Sequence, residues 1–253
     1  MGREEVELKL ALAPGGVQAL RRSALWSSLQ GAAERRLTST YYDTGKRDLL
    51  AQDYSLRVRR QGGRFIQTLK AGAGRRTPGL FRRGEWEGPL HDATPDPALI
   101  VDGKVPRRIR DLRPAQLQPV LSTRIHRRLR SLRDGPTMVE LALDTGAVLG
   151  ADGTQRQPIC ELELELKEGM PAGLFALAHE INQITPVRLQ RRSKLQQGLA
   201  GDAPQPRWQK ATPLRLSPEM PVAAALAAIF DNCLDHMVAN EACAITGAHV
   251  EGV

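Results

Sequence analysis

Charged and apolar residues alternate along the first strand that the sequence predicts. Within residues 3–12, Glu5, Glu7 and Lys9 fall on one face and aliphatic residues fall on the other, because alternate side chains of a strand point to opposite faces. Two carboxylates spaced in this way suit a hard divalent cation, and a lysine one step further on can meet the anion that the cation carries. By itself, this pattern is more often a solvated strand face.

The same alternation recurs along the chain and predicts seven more strands. Gly62-Gly63 predicts a hairpin turn between two of them, and Gly72, Gly74 and Pro78 predict a flexible loop after the fourth. Together with residues 3–12, the predicted strands are 36–43, 54–60, 64–70, 81–88, 120–132, 138–144 and 159–167.

Apolar residues at helical spacing predict several helices between and after these strands. One covers residues 17–30, two short ones lie around 97–101 and 106–111, and another covers 171–183. A further short helix is predicted to begin within residues 189–199, the stretch that carries Ser193-Lys194.

Eight antiparallel strands can close into a barrel, so the predicted fold class is α+β: an eight-stranded antiparallel β-barrel that forms a tunnel, with surrounding helices and a C-terminal helical fragment. One face of every strand would line the lumen, and that face is charged. Such a lumen cannot collapse into a dry core, because burying unpaired charges is prohibitive. It must hold water, metal and a polyanion. The charged positions are Glu5, Glu7, Lys9, Arg57, Arg59, Lys70, Arg83, Glu85, Glu87, Glu140, Asp144, Glu161, Glu163 and Glu165.

A proline-rich stretch follows Leu199 and precedes a long amphipathic helix. Five prolines between residues 201 and 221 predict a linker, and apolar residues share one face of the helix predicted over 221–245. The predicted domains are therefore 1–203, a linker at 204–220, and a helical segment at 221–253. Because a lone helix cannot bury its apolar stripe, it docks on the first domain, belongs to a domain that has been cut off, or pairs across a homodimer.

The overall charge predicts an anionic partner. Lys and Arg number 36 against 28 Asp and Glu, a net charge of +8, which suits a nucleic acid, a phosphorylated metabolite or an acidic surface. The acids come as Glu-x-Glu pairs, which a phosphate-backbone binder does not need, so nucleic acid is disfavoured.

The cysteines and the terminal segments predict a cytoplasmic protein with no membrane partner. Cys160, Cys233 and Cys243 are odd in number and lack the spacing of metal ligands, which indicates a reducing compartment. There is no cationic, apolar leader, and the Ala-rich run at 223–228 is too short to span a membrane.

Taken in order, several motifs resemble the CYTH superfamily, whose members are also called triphosphate tunnel metalloenzymes. The resemblance covers residues 2 to about 201. The segment from residue 221 resembles the opening helix of a CHAD domain, with the match carried by Asn240-Glu241-Ala242, and CYTH proteins with such a tail resemble bacterial inorganic triphosphatases. The CYTH motifs are Glu5-x-Glu7-x-Lys9, Tyr41-Tyr42-Asp43-Thr44, Ser55-Leu56-Arg57-Val58-Arg59, Thr68-Leu69-Lys70, Arg83-x-Glu85-x-Glu87, Glu140 with Asp144, Glu161-Leu162-Glu163-Leu164-Glu165 and Ser193-Lys194.

The resemblance implies a set of site residues. Basic residues would bind a triphosphate along the tunnel, acids would hold Mg²⁺ or Mn²⁺, and Glu5, Glu7, Lys9 and Lys70 would form the catalytic centre. Surface salt-bridging is an equally good interpretation of Glu165. The implied triphosphate-binding residues are Lys9, Arg57, Arg59, Lys70, Arg83, Arg127, with Arg124 second to it, and Lys194; the implied metal ligands are Glu5, Glu7, Glu85, Glu87, Asp144, Glu161 and Glu163, with Glu140 and Glu165 as a second tier.

The favoured function is metal-dependent hydrolysis of inorganic triphosphate to pyrophosphate and phosphate inside the tunnel. One alternative is another enzyme on the same tunnel, which hydrolyses thiamine or nucleoside triphosphates or cyclises ATP. A different class of alternative is a non-catalytic module that binds polyphosphate or nucleic acid, and such a module should tolerate loss of the carboxylates.

Overall fold

The computed structural model describes residues 2–13, 15–71, 79–200 and 208–247. The predicted loop at Gly72, Gly74 and Pro78 and the first part of the predicted linker lie outside the described residues. The chain divides into two compact units, Met1–Ala200 and Gly201–Val253.

The first unit is built around a closed ring of antiparallel strands. Eight of the strands that the structure describes pair in the order β1-β5-β4-β3-β2-β6-β7-β8, and β8 pairs back onto β1. This confirms the predicted eight-stranded antiparallel barrel. The strands are β1 Arg3–Leu12, β2 Gln30–Thr44, β3 Ser55–Gln61, β4 Arg64–Lys70, β5 Leu80–Leu90, β6 Leu117–Asp134, β7 Thr137–Gly150 and β8 Gln155–Glu168.

Helices and one short strand surround the ring. The strand β9, Val187–Leu189, was not predicted, and it pairs with the end of β1. Short 3-10 turns lie at Pro97–Leu99 and Pro114–Gln116. The helices of this unit are α1 Gly16–Arg22, α2 Ala24–Ser28, α3 Asp48–Ala51, α4 Arg107–Arg110, α5 Ala172–Ile184 and α6 Lys194–Ala200.

The single helix predicted over residues 17–30 is wrong, because the chain breaks at Ser23. Ser23 has an extended backbone, and its hydroxyl oxygen accepts a hydrogen bond from the backbone N–H of Trp26 at 3.1 Å. A serine at this position starts a new helix by satisfying one of its free N–H groups. From Gln30 the chain is already strand β2, six residues earlier than predicted, because β6 extends to Asp134 and pairs with it.

Apolar side chains pack on the outside of the barrel and within one part of it. Leucines from the outer faces of β1, β7 and β8 pack with α1, α2 and α5. The outer faces of β3, β4 and β5 are covered by α3 and by the segment between β5 and β6, which includes α4. A third cluster joins Leu37, Ile125, Val148 and Ile159 to Leu195 of α6. The first two clusters leave the charged faces of β1, β3, β5 and β8 pointing inward.

Asp102 fastens the start of β1 to β5. Its carboxylate accepts hydrogen bonds from the indole N–H of Trp86 at 2.7 Å and from the backbone N–H groups of Gly2 at 3.2 Å and Lys104 at 2.9 Å. These hydrogen bonds lower the pKa of Asp102 to about 2, and the one from Trp86 has the largest effect. A carboxylate with a lowered pKa stabilises the fold above its unfolded pKa, and the stabilisation is lost as the pH falls toward the folded value.

We therefore expect Asp102→Asn to lower the midpoint of urea unfolding at pH 7. The difference from the parent chain should shrink between about pH 4 and pH 2, because the parent carboxylate is protonated over that interval. Urea unfolding followed by Trp fluorescence at several pH values measures this. A difference that stays constant down to pH 2 would contradict the assigned role.

In the second unit, the described residues 208–247 form one long helix and a segment that hydrogen-bonds along it. The helix α7 spans Val222–Thr246, as predicted for this stretch. The side-chain amide of Asn240 donates to the backbone oxygen of Gln209 at 2.9 Å and accepts from its N–H at 2.8 Å. The apolar stripe of α7 is exposed, as at Val222, Phe230 and Met237. The domain boundaries, the CHAD assignment and the homodimer stay predictions.

The apolar segment that contains residues 223–228 is longer than the sequence analysis assumed. The Ala-rich run at 223–228 continues into a helix that, by length and composition alone, could cross a membrane. Core helices of soluble proteins meet the same criterion of length and composition, so the criterion alone does not identify a membrane-spanning helix. The three cysteines are free thiols.

Candidate active site

The barrel encloses a charged cavity of about 160 Å³. Nine basic and seven acidic side chains are among the residues that line it. The cavity is large enough for several water molecules, because one water needs roughly 10–15 Å³ of such space. The charged lining residues are Lys9, Arg35, Arg57, Arg59, Lys70, Arg83, Arg127, Lys167 and Lys194, with Glu5, Glu7, Glu85, Glu87, Glu140, Glu163 and Glu165.

Strand alternation and barrel closure explain why these residues meet. Residues spaced by two share a face, and antiparallel pairing sets Lys9 beside Glu163 and Glu5 beside Arg83. Lys194 is the one cavity residue among those named that comes from a helix, α6.

The first group of ion pairs joins β1, β4 and β5. The ammonium group of Lys70 donates to Glu5 at 2.7 Å and lies 3.3 Å from Glu85. Glu7 accepts a hydrogen bond from Arg83 and lies 3.3 Å from Lys9. Burial acts to raise the pKa of Glu7, but the neighbouring cations, Lys9 foremost, outweigh it and hold the pKa at about 2. Burial and the charge of Glu7 raise the pKa of Glu5.

The second group is a triad of carboxylates from β7 and β8. One oxygen from each of Asp144, Glu161 and Glu163 lies within 4.8 Å of the others. The ammonium group of Lys194 contacts all three carboxylates: it lies 2.8 Å from Asp144 and 3.0 Å from Glu163, and it donates to Glu161. Arg127 donates two hydrogen bonds to Asp144, at 2.7 and 2.6 Å.

Further contacts complete the compensation of this triad. Arg127 donates to Glu163 at 2.6 Å, and Lys9 donates to the same carboxylate. Burial acts to raise the pKa of Glu163, but these cations, Lys194 foremost, hold it well below its usual range. The carboxylates in turn keep Lys194 protonated: burial acts to lower the pKa of that lysine, but the charges of Asp144, Glu161 and Glu163 raise it well above its usual value.

The third group is a pair of arginines on β3, Arg57 and Arg59, whose ion pairs with Glu87 are long. Arg57 and Arg59 lie 3.9 and 3.8 Å from the nearest oxygen of Glu87, too far for a hydrogen bond. The Nε–H of Arg57 is buried and has no hydrogen-bond partner. Repulsion by Arg57, followed by burial, lowers the pKa of Arg59 to about 10. This wall is therefore prepared for an anion that the described part of the chain does not supply.

A family model described as the CYTH domain matches residues 3–199. The chain belongs to the CYTH domain family. An inorganic triphosphatase of Haemophilus influenzae is 30% identical over 196 residues, which make up 77% of this chain and 54% of that protein. The chain thus spans about half the length of this curated relative.

Two solved structures show the same fold as this CYTH chain. A Hippeastrum protein, described as a putative adenylyl cyclase with a dominant triphosphatase activity, has a TM-score of 0.60 and 19% identity, covering 78% of this chain and 96% of that one. A Pyrococcus horikoshii protein has a TM-score of 0.50 and 21% identity, covering 77% and 98%. At these identities the likeness concerns the fold alone.

The CYTH barrel brings together nearly all the residues that the sequence singled out. Asp144 and Glu161 are fully buried behind the cavity wall and contact Lys194. Glu140 and Glu165 line the cavity, and both contact Lys167, at 3.3 and 2.7 Å. The remaining predicted metal and phosphate ligands line the cavity, with one exception.

The exception is Arg124, which is exposed and does not line the cavity. It lies three residues before Arg127 on β6, and an odd spacing along a strand reverses the face. Arg83, which was predicted, does line the cavity. Two lining cations were missed: Arg35, because β2 begins earlier than predicted, and Lys167, which continues the period of Glu161, Glu163 and Glu165 by one more step.

The acids of the CYTH barrel fit a hard divalent cation. Mg²⁺ and Mn²⁺ take oxygen ligands, and two oxygens on opposite sides of Mg²⁺ are about 4.2 Å apart. The triad oxygens lie within 4.8 Å of one another, a spacing close to that of oxygen ligands around such an ion. Glu7 lies on the adjacent strand and shares its counter-ion Lys9 with Glu163.

Proposed function

We propose that this CYTH chain hydrolyses inorganic triphosphate to pyrophosphate and phosphate, with Mg²⁺ or Mn²⁺ as its cofactor. The observation that carries the proposal is the pair Arg57 and Arg59, which line the cavity. The buried Nε–H of Arg57 has no hydrogen-bond partner, and both guanidinium groups lie beyond hydrogen-bond distance from Glu87. Leaving such donors unpaired is costly, so an anion of several oxygens is the expected partner. Guanidinium groups bind phosphate oxygens through two parallel hydrogen bonds.

The acids support a hydrolase over a simple anion binder. Glu5, Glu7, Glu85, Asp144, Glu161 and Glu163 would hold the metal, which when bound would neutralise charge on the phosphate oxygens and make a bound water more acidic. A module that only binds polyphosphate gains nothing from buried carboxylates in the same cavity, because they repel the ligand. The curated relative named inorganic triphosphatase supports the same activity.

The side chains of this chain then have separate tasks. Arg57, Arg59 and Arg35 bind the phosphates from the side of β2 and β3, and Lys9 and Lys70 approach from the side of β1 and β4. Strand β1 lies across the ring from β2, so Lys9 faces the arginines over the cavity, while Lys70 stands on β4, the strand next to β3. Together these cations align three linked phosphates. Positioning of this kind supplies most of the catalysis in phosphoryl transfer. The carboxylates orient the attacking water toward the terminal phosphorus.

A substrate panel tests the proposal. Phosphate release is measured from triphosphate, thiamine triphosphate, ATP and pyrophosphate, each with Mg²⁺, with Mn²⁺ and with EDTA. We expect the highest kcat/KM on inorganic triphosphate and no release with EDTA. A preference for an organic triphosphate would move the assignment to the second enzyme class. Binding of triphosphate without turnover of any substrate would overturn hydrolysis and leave a polyphosphate-binding module.

A further inference from the structure

The ammonium group of Lys194 occupies the centre of the Asp144–Glu161–Glu163 triad. Among the cations in the described residues, it is the one that contacts all three of these carboxylates. Its nitrogen lies 2.8 and 3.0 Å from oxygens of Asp144 and Glu163 and is hydrogen-bonded to Glu161. A cation that ligates the same three oxygens would have to stand where this nitrogen stands.

We propose that Lys194 and the divalent cation are alternative occupants of this triad, so that metal binding expels the lysine and loosens α6. The inference rests on the proposed function for its biological meaning, but it concerns a property of the free chain. The expelled ammonium would remain in the cavity, which Lys194 already lines, and there it can meet a phosphate oxygen. One lysine would thus serve as a counter-ion before metal binding and as an anion ligand afterwards.

The triad keeps part of its charge compensation when Lys194 leaves, because other cations remain. Arg127 keeps its two hydrogen bonds to Asp144 and one to Glu163, and Lys9 keeps its bond to Glu163. Glu161 differs, since its described side-chain partners are Lys194 and Gln197, and both belong to α6. Metal ligation through Oε1 of Glu161 therefore competes with its bond to Lys194, and ligation through both oxygens would compete with the bond from Gln197 to Oε2 as well.

The remaining contacts of α6 are apolar and close. Leu195 is buried with Leu37 and Ile125 inside the barrel. A Cβ atom added to Gly198 would lie 2.5 Å from Val148 and 2.6 Å from Leu121. Because the helix fits this closely, loss of its polar anchors changes its protection from solvent in a way that hydrogen exchange can detect.

The first test is Mn²⁺ binding to the whole chain without triphosphate, by titration calorimetry. Lys194→Met keeps the apolar stem and removes the competing charge. A ligand that must first displace an occupant binds more weakly by the fraction of free sites, so we expect Lys194→Met to bind Mn²⁺ at least about 10-fold more tightly. Arg124→Met is the control: it removes one positive charge from the exposed face of β6, where the side chain does not line the cavity, and should change the affinity less than about 3-fold.

The second test needs no variant and decides the matter if Lys194→Met does not fold. Hydrogen exchange of residues 194–200 in the parent chain is measured with and without Mn²⁺. We expect faster exchange with Mn²⁺, whereas a metal site that leaves α6 in place would slow it. Unchanged or slower exchange, or equal or weaker Mn²⁺ binding by Lys194→Met, would overturn the proposal. Triphosphate hydrolysis by the parent chain is scored separately, so a failure of the proposed function is seen independently of these results.

Discussion

Replacing Glu5 and Glu7 together by glutamine is expected to lower metal-dependent phosphate release from triphosphate by at least about 10³-fold. Glutamine keeps the shape but loses the charge that holds a divalent cation. The same change should leave triphosphate binding equal or tighter. Arg83 loses the charged partners Glu5 and Glu7, and Lys70 loses Glu5 but keeps Glu85, so both cations become more available to the anion. Steady-state kinetics with Mg²⁺ and Mn²⁺, together with triphosphate titration in EDTA, measure the two effects.

Glu4→Gln is the matched control for this experiment. Glu4 lies on the same strand, one residue before Glu5, but it is exposed on the outer face. The same chemical change there should leave kcat/KM within about twofold, because an exposed charge outside the barrel is screened from the cavity. Full activity in the double variant would show that the carboxylates of β1 are not part of the catalytic centre, and it would favour a binding module over a hydrolase.

Arg57→Met and Arg127→Met are expected to change stability in opposite directions. The two side chains are exposed to nearly the same extent, 18% and 19%, but Arg127 donates to Asp144 and Glu163, whereas Arg57 has an unsatisfied Nε–H. Removing Arg127 leaves carboxylates buried with fewer cations and should cost about 3–5 kcal/mol. Removing Arg57 abolishes a buried unpaired donor and should be neutral or stabilising, by up to about 2 kcal/mol.

The effect of Arg57→Met on function has the opposite sign to its effect on stability. Loss of a charge-assisted, two-pronged contact with a phosphate should weaken triphosphate binding about 10- to 100-fold. Unfolding in urea and triphosphate titration measure stability and affinity on the same samples. Destabilisation by Arg57→Met comparable to that by Arg127→Met would mean that Arg57 is a structural counter-ion and that the wall of β2 and β3 is not an anion site.

The phase of each strand followed from local alternation wherever charged and apolar residues alternate without interruption. Glu5, Glu7 and Lys9 fall on one face of β1 for a reason internal to that strand, and the same holds for Glu161, Glu163 and Glu165. Strand β6 is different, because arginines occupy both of its faces. The local sequence therefore does not distinguish Arg124 from Arg127. The pairing of β6 with β7, which sets Arg127 opposite Asp144, turns Arg127 inward and Arg124 outward.

The ends of elements also depended on the tertiary structure. Strand β2 begins at Gln30 because β6 is long enough to pair with it, and this extension brings Arg35 into the cavity. The sequence between residues 17 and 30 has helical periodicity throughout, and the capping by Ser23 that divides it competes with that periodicity at a single residue. Local patterns indicate which kind of element forms, but the length of its partner decides where it stops.

The sequence by itself determined that this chain would form a ring of strands with a charged interior, because strand periodicity is local and charged faces cannot be packed into a dry core. It also determined the CYTH family, since the motifs lie in order along residues 3–199. Only the tertiary structure decided which cations are neutralised and which remain available. Lys194 contacts Asp144, 50 positions earlier in the chain, at 2.8 Å, whereas Arg57 stays 3.9 Å from the carboxylate of Glu87. Contacts at such separations are set by barrel closure and not by any local pattern.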